Sequence, residues 1–551
     1  MERTQYTIFD MLNSDENDNI EDVNNSSDLV SVTLTDDDIK RFKYYNLKDY
    51  CKDIEALGIE KAWSLICNYV LKFGENKKSF LNVNNFGEMY EIGLAIIDKQ
   101  QKKNSGQYYT PDDVARVMAE WFSQIQAENI CDVACGTGKL ILSYFDYIGE
   151  EKTKQVLNDS RLYLYDLDKV ALHICKTSIL LKYGIEYKEK IHDIYGDFLN
   201  KNLKLPKNCK VISNPPYAAM SSIPRSWRHT DVVEESKELY SAFMEKIIEE
   251  SNCSVIITPY SFIGGKKFFS LRKLMNNYNG FIVSFDNVPG NIFCGRKHGV
   301  FNTNTSNSVR ASITVVENND TQKGFRLSPL IRFKNEEREK LLQSEFLKTF
   351  LSDKRQIVDK KHQLYSKCFK ELQEVFDVWC KKSTSSIRKI ICNNGKYKIY
   401  FPNTCRYFTV GAKRKLNRTG LLELKIEDKN IWEFIYCLVN SSFAYLWWRV
   451  YDGGITYPTG LLYDLPVFYD LLSEDDKMFF ENICAKMVSV ENNCIVTKLN
   501  AGAYQENIKF PKEYRDNINK RLLTILGFDN NISFDIIHSN KVFKGGLDED
   551  E

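Results

Sequence analysis

The stretch Asp132-Val133-Ala134-Cys135-Gly136-Thr137-Gly138-Lys139-Leu140, DVACGTGKL, decides the fold. It closes the apolar run NICDV (129–133) and opens a helical pattern, so it reads as a strand, a sharp turn and a helix start. Gly136 and Gly138 free the backbone to turn and let a ligand approach the amides that begin the helix. A lone G-x-G is weak, so the weight rests on what surrounds it.

Outward from this turn, strand-like runs alternate with helical ones: RLYLYD, KIHDIYGD, CKVIS, CSVIIT, FIVSF and ASITVV follow NICDV. Helical patterns such as Leu239, Phe243, Ile247 separate them. Seven such runs predict an α/β sheet with helices on both faces, where ligands bind at the carboxyl ends of the strands. Candidate residues stand at those ends. Asp166, twenty-eight residues after Gly138, closes the second run and suits ribose hydroxyls. Asp197 and Phe198 close the third with an acceptor and a ring suited to adenine. Ser213-Asn214-Pro215-Pro216-Tyr217 closes the fourth. Pro-Pro fixes φ and cannot join a ladder, so it holds an amide and a ring on a stiff, extended path. One strand-end Asp is usually a turn or a cap. Four signals in register along one edge reverse that reading.

Just upstream, NSGQYYTPDDVARVMAEWFSQI predicts a helix with Thr110 as cap, Pro111 in the first position, Asp112 and Asp113 at the positive end, and one apolar stripe from Val114 to Ile125. The stretch 35–100 has helical spacing at Trp63, Ile66, Val70 and Leu71. The expected division is an acidic disordered tail, 1–34; a helical region, 35–100; the sheet domain, 101–332; a helical connector, 333–382; and a mixed α/β region, 383–551.

Net charge is +1, but its distribution is uneven. Residues 1–40 hold eleven acids and two bases, whereas 380–420 hold eleven bases and no acid, with Tyr397, Tyr400, Phe401, Tyr407 and Phe408 interleaved. Bases alternating with rings suit a surface that tracks phosphates and stacks on bases; the competing reading is an ordinary solvated face. Fifteen scattered cysteines without a C-x-x-C pair read as reduced thiols, and neither they nor CDVAC predict a metal site. No apolar run is long enough to span a membrane, so no membrane partner is expected, and the chain reads as cytoplasmic. No acid pair followed by E-x-K suggests a fused nuclease.

This order of motifs resembles the γ-class of S-adenosylmethionine-dependent N6-adenine DNA methyltransferases over residues 85–320, in which a motif X precedes motifs I to IV. The segment leading into SGQYYTP is similar to modification subunits of type I restriction systems. Beyond 380, FIYCLVNSSFAYLWWRVYDGGITYPTGLLYDLPV looks like the target-recognition regions of single-chain type II and IIG adenine methylases. The resemblance implies a Rossmann-like seven-stranded methyltransferase sheet and S-adenosyl-L-methionine as cofactor. It assigns cofactor contacts to Gln107, Tyr108, Tyr109, Thr110 and Pro111; to Asp132, Ala134, Cys135, Gly136 and Gly138; to Asp166 and Leu167; and to Asp197, Phe198 and Asn214. Catalysis falls to Asn214, Pro215, Pro216 and Tyr217, with Tyr217 and Phe293 sandwiching the base and Phe301 competing with Phe293.

The chemistry follows from the residue types. Adenine's exocyclic nitrogen delocalises its lone pair, so fixed acceptors must pyramidalise it, and the Asn214 oxygen and Pro215 carbonyl supply two. That tetrapeptide fits any planar nitrogen, a protein glutamine or an RNA base included. DNA is argued from the large basic region, in which Arg406, Lys413, Arg414, Lys415 and Arg418 would meet phosphates while the target base is flipped. The expected partner is double-stranded DNA, in restriction-modification, element protection or epigenetic marking near the bacterial nucleoid. The alternatives are a modification subunit working with a separate restriction or specificity subunit, or a methyltransferase of RNA or protein glutamine. At the other end of the chain, Gln5 to Phe9 (QYTIF) is similar to peptides that dock on the bacterial sliding clamp.

Overall fold

The computed structural model describes residues 34–42, 45, 47–73, 87, 89–90, 110–293, 297–298, 301–302, 309–317, 322–358, 364–405, 407–454, 456–500 and 502–543. The stretch Gln5–Phe9 lies outside them, as does nearly all of the acidic tail. The chain forms two compact units. One comprises Met1–Arg326, Phe333–Thr349 and Lys360–Gln363; the other comprises Leu327–Arg332, Phe350–Asp359 and Leu364–Glu551.

All seven predicted runs are strands of one sheet in the first unit: β1 Asn129–Val133, β2 Leu162–Asp166, β3 Ile191–Tyr195, β4 Cys209–Ser213, β5 Cys253–Pro259, β6 Asn279–Phe285 and β7 Ala311–Val316. An eighth, β8 Gly324–Ile331, adds to the edge and gives the order β8-β6-β7-β5-β4-β1-β2-β3. Strands β1 to β5 pair in parallel, and β7 runs antiparallel between β5 and β6. Strands β4 and β6 are buried along their whole length, as expected where helices cover both faces. Val133 of β1 stands in register with Tyr165 of β2 and Ser213 of β4. The chain leaves β1 toward β2 on one side and joins β4 on the other, so a crevice opens at their carboxyl ends.

The helix Asp112–Gln124 forms as its stripe predicts, burying Val114, Val117, Met118, Trp121 and Phe122. Its cap differs. Pro111 holds the cap position without a side-chain bond, and the Thr110 hydroxyl is used elsewhere. The helices Leu47–Leu57 and Ile59–Phe73 belong to a cluster in which Phe42, Tyr45, Tyr50, Ile66 and Tyr69 meet Ala171 and Ile174 of helix Lys169–Tyr183.

The connector expected over 333–382 divides between the units. Arg338 binds Asp113 in the first unit, whereas Leu372, Val375, Phe376 and Trp379 enter the core of the second. That core is built of aromatic and aliphatic side chains from helices Gln373–Lys382, Lys429–Val439, Ser442–Tyr451, Glu474–Val490 and Lys512–Leu526. The Phe443 and Trp379 rings meet edge to face with centroids 5.1 Å apart, and Trp447 stacks on Phe376 at 5.9 Å. The run FIYCLVNSSFAYLWW is therefore buried in core helices. Two hairpins flank this core, Tyr397–Pro402 with Leu421–Ile426, and Ile495–Asn500 with Ala503–Ile508.

Candidate active site

The site is assembled at the ends of β1, β2 and β4. Ala134, Gly136 and Gly138 all have left-handed φ, 56°, 52° and 91°, so the chain reverses within five residues of the strand end. The two glycines do different jobs. A Cβ on Gly138 would lie 2.6 Å from Cys175 Sγ, whereas one on Gly136 would meet no atom within 4 Å. Gly138 is required for packing of the loop on helix Lys169–Tyr183; Gly136 presents an open backbone face. The Gly136 N–H donates to Asp166 Oδ2 at 2.6 Å, and Cys135 N–H donates to the Tyr165 carbonyl, fastening the loop to the end of β2.

Asp166 Oδ1 accepts the Asp168 N–H at 2.8 Å. Burial, reinforced by the neighbouring Asp168 charge, pushes the Asp166 carboxyl up to about 7, against the pull of the N–H groups of Asp168, Gly136 and Leu167. Leu167 is half-buried beside it. Asp132, fully buried, accepts the Ile141 N–H at 3.2 Å, and its other oxygen has no partner among the described residues. Burial holds its carboxyl well above the usual range.

At the end of β3, Asp197 accepts the Leu199 N–H at 2.9 Å and the Trp227 indole N–H, and burial raises its carboxyl. The Phe198 ring is buried against Tyr165 and Phe243. Beneath this turn the Lys246 ammonium donates to the carbonyls of Phe198, Asn200 and Leu203 at 2.6, 2.8 and 2.7 Å and lies 4.7 Å from the Phe198 ring centre. Burial lowers it to about 8. Lys246 falls within a helical pattern, so nothing in the sequence marks it as the anchor of a loop forty residues away.

Ser213 Oγ donates to the Val133 carbonyl at 2.7 Å and ties the end of β4 to that of β1. Asn214 Nδ2 donates to Thr110 Oγ1 at 3.0 Å. Its Oδ1 lies 2.6 Å from the Tyr217 hydroxyl, which is also 3.1 Å from the Ile257 carbonyl, so one phenolic proton has two acceptors. Pro215 is buried and Pro216 half-buried. The Tyr217 ring meets the buried Phe293 ring edge to face at 6.0 Å. The structure thus brings together Thr110, Asn214, Tyr217 and Phe293, residues spread over more than 180 positions. Gln107, Tyr108 and Tyr109 lie outside the described residues, as does the Phe301 side chain.

Arg338 was not foreseen. Its guanidinium makes a two-bond fork with Asp113, at the start of helix Asp112–Gln124, and donates to the carbonyls of Asn291 and Ile292 at 2.7 and 2.6 Å. It therefore braces the backbone that presents Phe293. A single Arg in the charged pattern EEREK gives no sequence signal of this.

The basic run of the second unit differs from its expected form. Its acid-free sequence is not acid-free in space, because strands and helices from 423 to 506 bring carboxylates to it. Arg388 pairs with Asp464 at 2.9 Å, Lys396 with Glu427 at 2.9 Å, Lys398 with Glu423 at 2.8 Å and Arg414 with Glu506 at 2.6 Å. Arg418 donates to Asn507 and Thr404. The buried Glu491 accepts the backbone N–H groups of Lys413 and Arg414, both at 2.8 Å. Phe401 is fully buried, and Tyr397, Tyr400, Tyr407 and Phe408 are at most half-exposed, so these rings serve the fold rather than an open stacking platform. Lys413 and Lys415 keep exposed side chains without an ion pair among the described residues. Arg406 lies outside them.

Comparison with known proteins adds three findings. The model of the N-6 DNA methylase family matches residues 82–390. The methylase subunit of the type I restriction enzyme EcoEI of Escherichia coli is 27% identical over 227 residues, 38% of this chain and 45% of that protein. That of MpnII from Mycoplasma pneumoniae is 22% identical over 337 residues, covering 57% and 58%. The chain thus spans about half the length of these two relatives. Among solved structures, a DrdV–DNA complex aligns over 58% of this chain and 36% of that one at 17% identity, with a TM-score of 0.40.

Proposed function

The chain belongs to the N-6 DNA methylase family, and from that premise we propose that it transfers a methyl group to the exocyclic N6 of an adenine flipped out of duplex DNA. The observation that carries this reading is the amide of Asn214, held through Thr110 at the end of β4 beside a stiff Pro-Pro step.

The residues present fit S-adenosyl-L-methionine. Gly136 offers an open backbone face, and Asp166 stands at the next strand end to receive ribose hydroxyls. When bound, the cofactor supplies an electrophilic methyl on a sulfonium. The chain supplies the rest. Asn214 Oδ1 and the Pro215 carbonyl each accept one N6–H, which localises the nitrogen lone pair; two acceptors fixed before the base arrives act without reorganisation. No side chain needs to remove a proton beforehand; the methylated nitrogen, cationic once the methyl is bound, then loses one of its two protons to solvent. Asn214 Oδ1 accepts from the Tyr217 hydroxyl in the structure, so a base bound there would displace that hydroxyl. The Ile257 carbonyl can take that proton instead, so the exchange leaves no buried hydroxyl unpaired. The Tyr217 ring is assigned to one face of the base; Phe293, buried and in edge-to-face contact with Tyr217 at 6.0 Å, leaves no space for a base between the two rings and would have to move aside to cover the other face.

Similarity to type I methylase subunits favours a second reading, in which methylation requires a separate specificity or restriction subunit. Sequencing with modified-base detection on DNA from cells with and without this chain tests the first reading. N6-methyladenine at one recurrent sequence, present only with the chain, supports it; an identical methylation pattern in both overturns it. Methylation of a duplex by the purified chain alone would exclude the second reading.

A further inference from the structure

Building on the DNA reading above, we propose that the hairpin Ile495–Asn500 with Ala503–Ile508 is the element of the second unit that enters a groove of the duplex, with Leu499 and Tyr504 as its apolar wedge. The two residues face each other directly across the ladder, in the last pair before the turn but one. They are 63% and 72% exposed, the two most exposed large apolar side chains among the described residues. The two-residue period of a strand puts them on one face with Thr497 and Glu506, then Ile495 and Ile508 at the base. Ile508 is buried there with Ala412 and Leu416, so the same face is core at its root and bare at its tip.

The root is fixed rather than loose. Glu506 accepts from Arg414 at 2.6 Å and from the Asn417 N–H at 2.8 Å; Asn507 accepts from Arg418; and Gln505 donates to Thr419 at 3.2 Å. Those arginines come from the acid-free run. Their work is to hold the hairpin upright beside the exposed Lys413 and Lys415, with Lys498 on its opposite face. The only acid between 493 and 512 is Glu506, already engaged by Arg414 and Asn417, against Lys498 and Lys509, while Lys512 pairs with Asp535.

An exposed apolar pair on a two-stranded ribbon, set beside the exposed Lys413, Lys415 and Lys498, suits a polyanion with an apolar interior. Duplex DNA meets that description, since a two-stranded ribbon fits the major groove and apolar side chains wedge against or between base steps.

The test uses the full chain and a labelled duplex bearing the sequence it methylates, titrated by fluorescence anisotropy over a range of salt. Leu499→Ser/Tyr504→Ser should weaken binding about tenfold or more, since stacking and wedge contacts are each worth a sizeable share of affinity. The slope of log Kd against log salt should match wild type, because no phosphate contact is lost. Melting temperature and cofactor binding should not move, because both side chains are in solvent. Wild-type affinity in the double variant overturns the proposal while leaving the DNA reading intact. A wild-type dimer that the double variant converts to monomer at unchanged DNA affinity also overturns it, in favour of a contact between copies. A wild-type chain that binds no duplex overturns both.

Discussion

The strand-end edge of the first unit and the basic run of the second are each written in a few short stretches, and folding treats them oppositely. At the edge, the signal residues stand at the strand ends where the sequence puts them. Gly136 turns the chain, Asp166 faces the turn and Asn214 stands at the end of its strand. In the basic run, four of the cations that look free in sequence, Arg388, Lys396, Lys398 and Arg414, are spoken for in space by Asp464, Glu427, Glu423 and Glu506. The difference lies in range. The register of a parallel sheet decides which strand ends meet, so a strand-end residue's environment follows from the fold class, whereas a charge's environment is set by whatever distant segment folds against it.

The two glycines offer the largest test of the first half of that contrast. Gly138→Ala should cost about 3 kcal/mol of stability, because the new Cβ clashes with Cys175 in a left-handed backbone. Gly136→Ala should cost only about 1 kcal/mol, yet block close approach of a ligand. Thermal denaturation and cofactor titration of both variants should therefore separate: a low melting temperature for the first, a near-normal one with lost binding for the second. Equal behaviour would mean that the loop is not divided in this way.

Arg338→Ala comes next. It removes four hydrogen bonds that hold the Phe293 backbone to helix Asp112–Gln124, and should lower kcat about tenfold while leaving cofactor affinity near normal. Arg338→Lys should not rescue it, since an ammonium cannot fork to a carboxylate and reach two carbonyls. Steady-state kinetics and cofactor titration check both points.

Asp166 gives a pH signature. Its folded carboxyl titrates near about 7 against an ordinary 3.8, so the folded chain holds a proton there that the unfolded chain has lost. Stability therefore falls as pH rises from 3.8 to about 7 and levels above that. Ribose hydroxyls prefer the carboxylate, so cofactor affinity should rise in the opposite sense, by about tenfold from pH 6 to 8. Calorimetric titration across that range should show it, and Asp166→Asn should flatten the curve.

The smallest effect sharpens the second half. Lys413→Ala/Lys415→Ala should lower the salt slope of DNA binding by about two with no change in melting temperature. Arg414→Ala/Arg418→Ala should do the reverse, because these side chains fasten the hairpin. If both pairs reduced the slope alike, the run would act as one phosphate-tracking surface after all.

How much of this was legible follows the same division. Seven of eight sheet strands were visible as apolar runs; β8, GFRLSPLI, escaped because Arg326 and Pro329 interrupt its pattern. The gathering of Thr110, Asn214 and Tyr217 could be read because each flanks a strand or helix end. Lys246, Trp227 and Arg338 could not, since each acts on a loop distant in sequence through backbone carbonyls or a single carboxylate. The aromatic residues of 432–451 form core, because rings at helical spacing on two adjacent helices bury one another.

Methyl transfer by Asn214→Ala, measured on duplex DNA alongside cofactor binding by the same preparation, tests the central claim most directly. Loss of one fixed acceptor in a desolvated site should cut turnover about a hundredfold, some 3 kcal/mol of transition-state stabilisation. Cofactor affinity should stay within a few-fold of wild type, and the methyl group that wild type transfers should be recovered on adenine N6. Near-normal turnover in the variant, or recovery of the wild-type label on RNA or protein glutamine, would contradict the account.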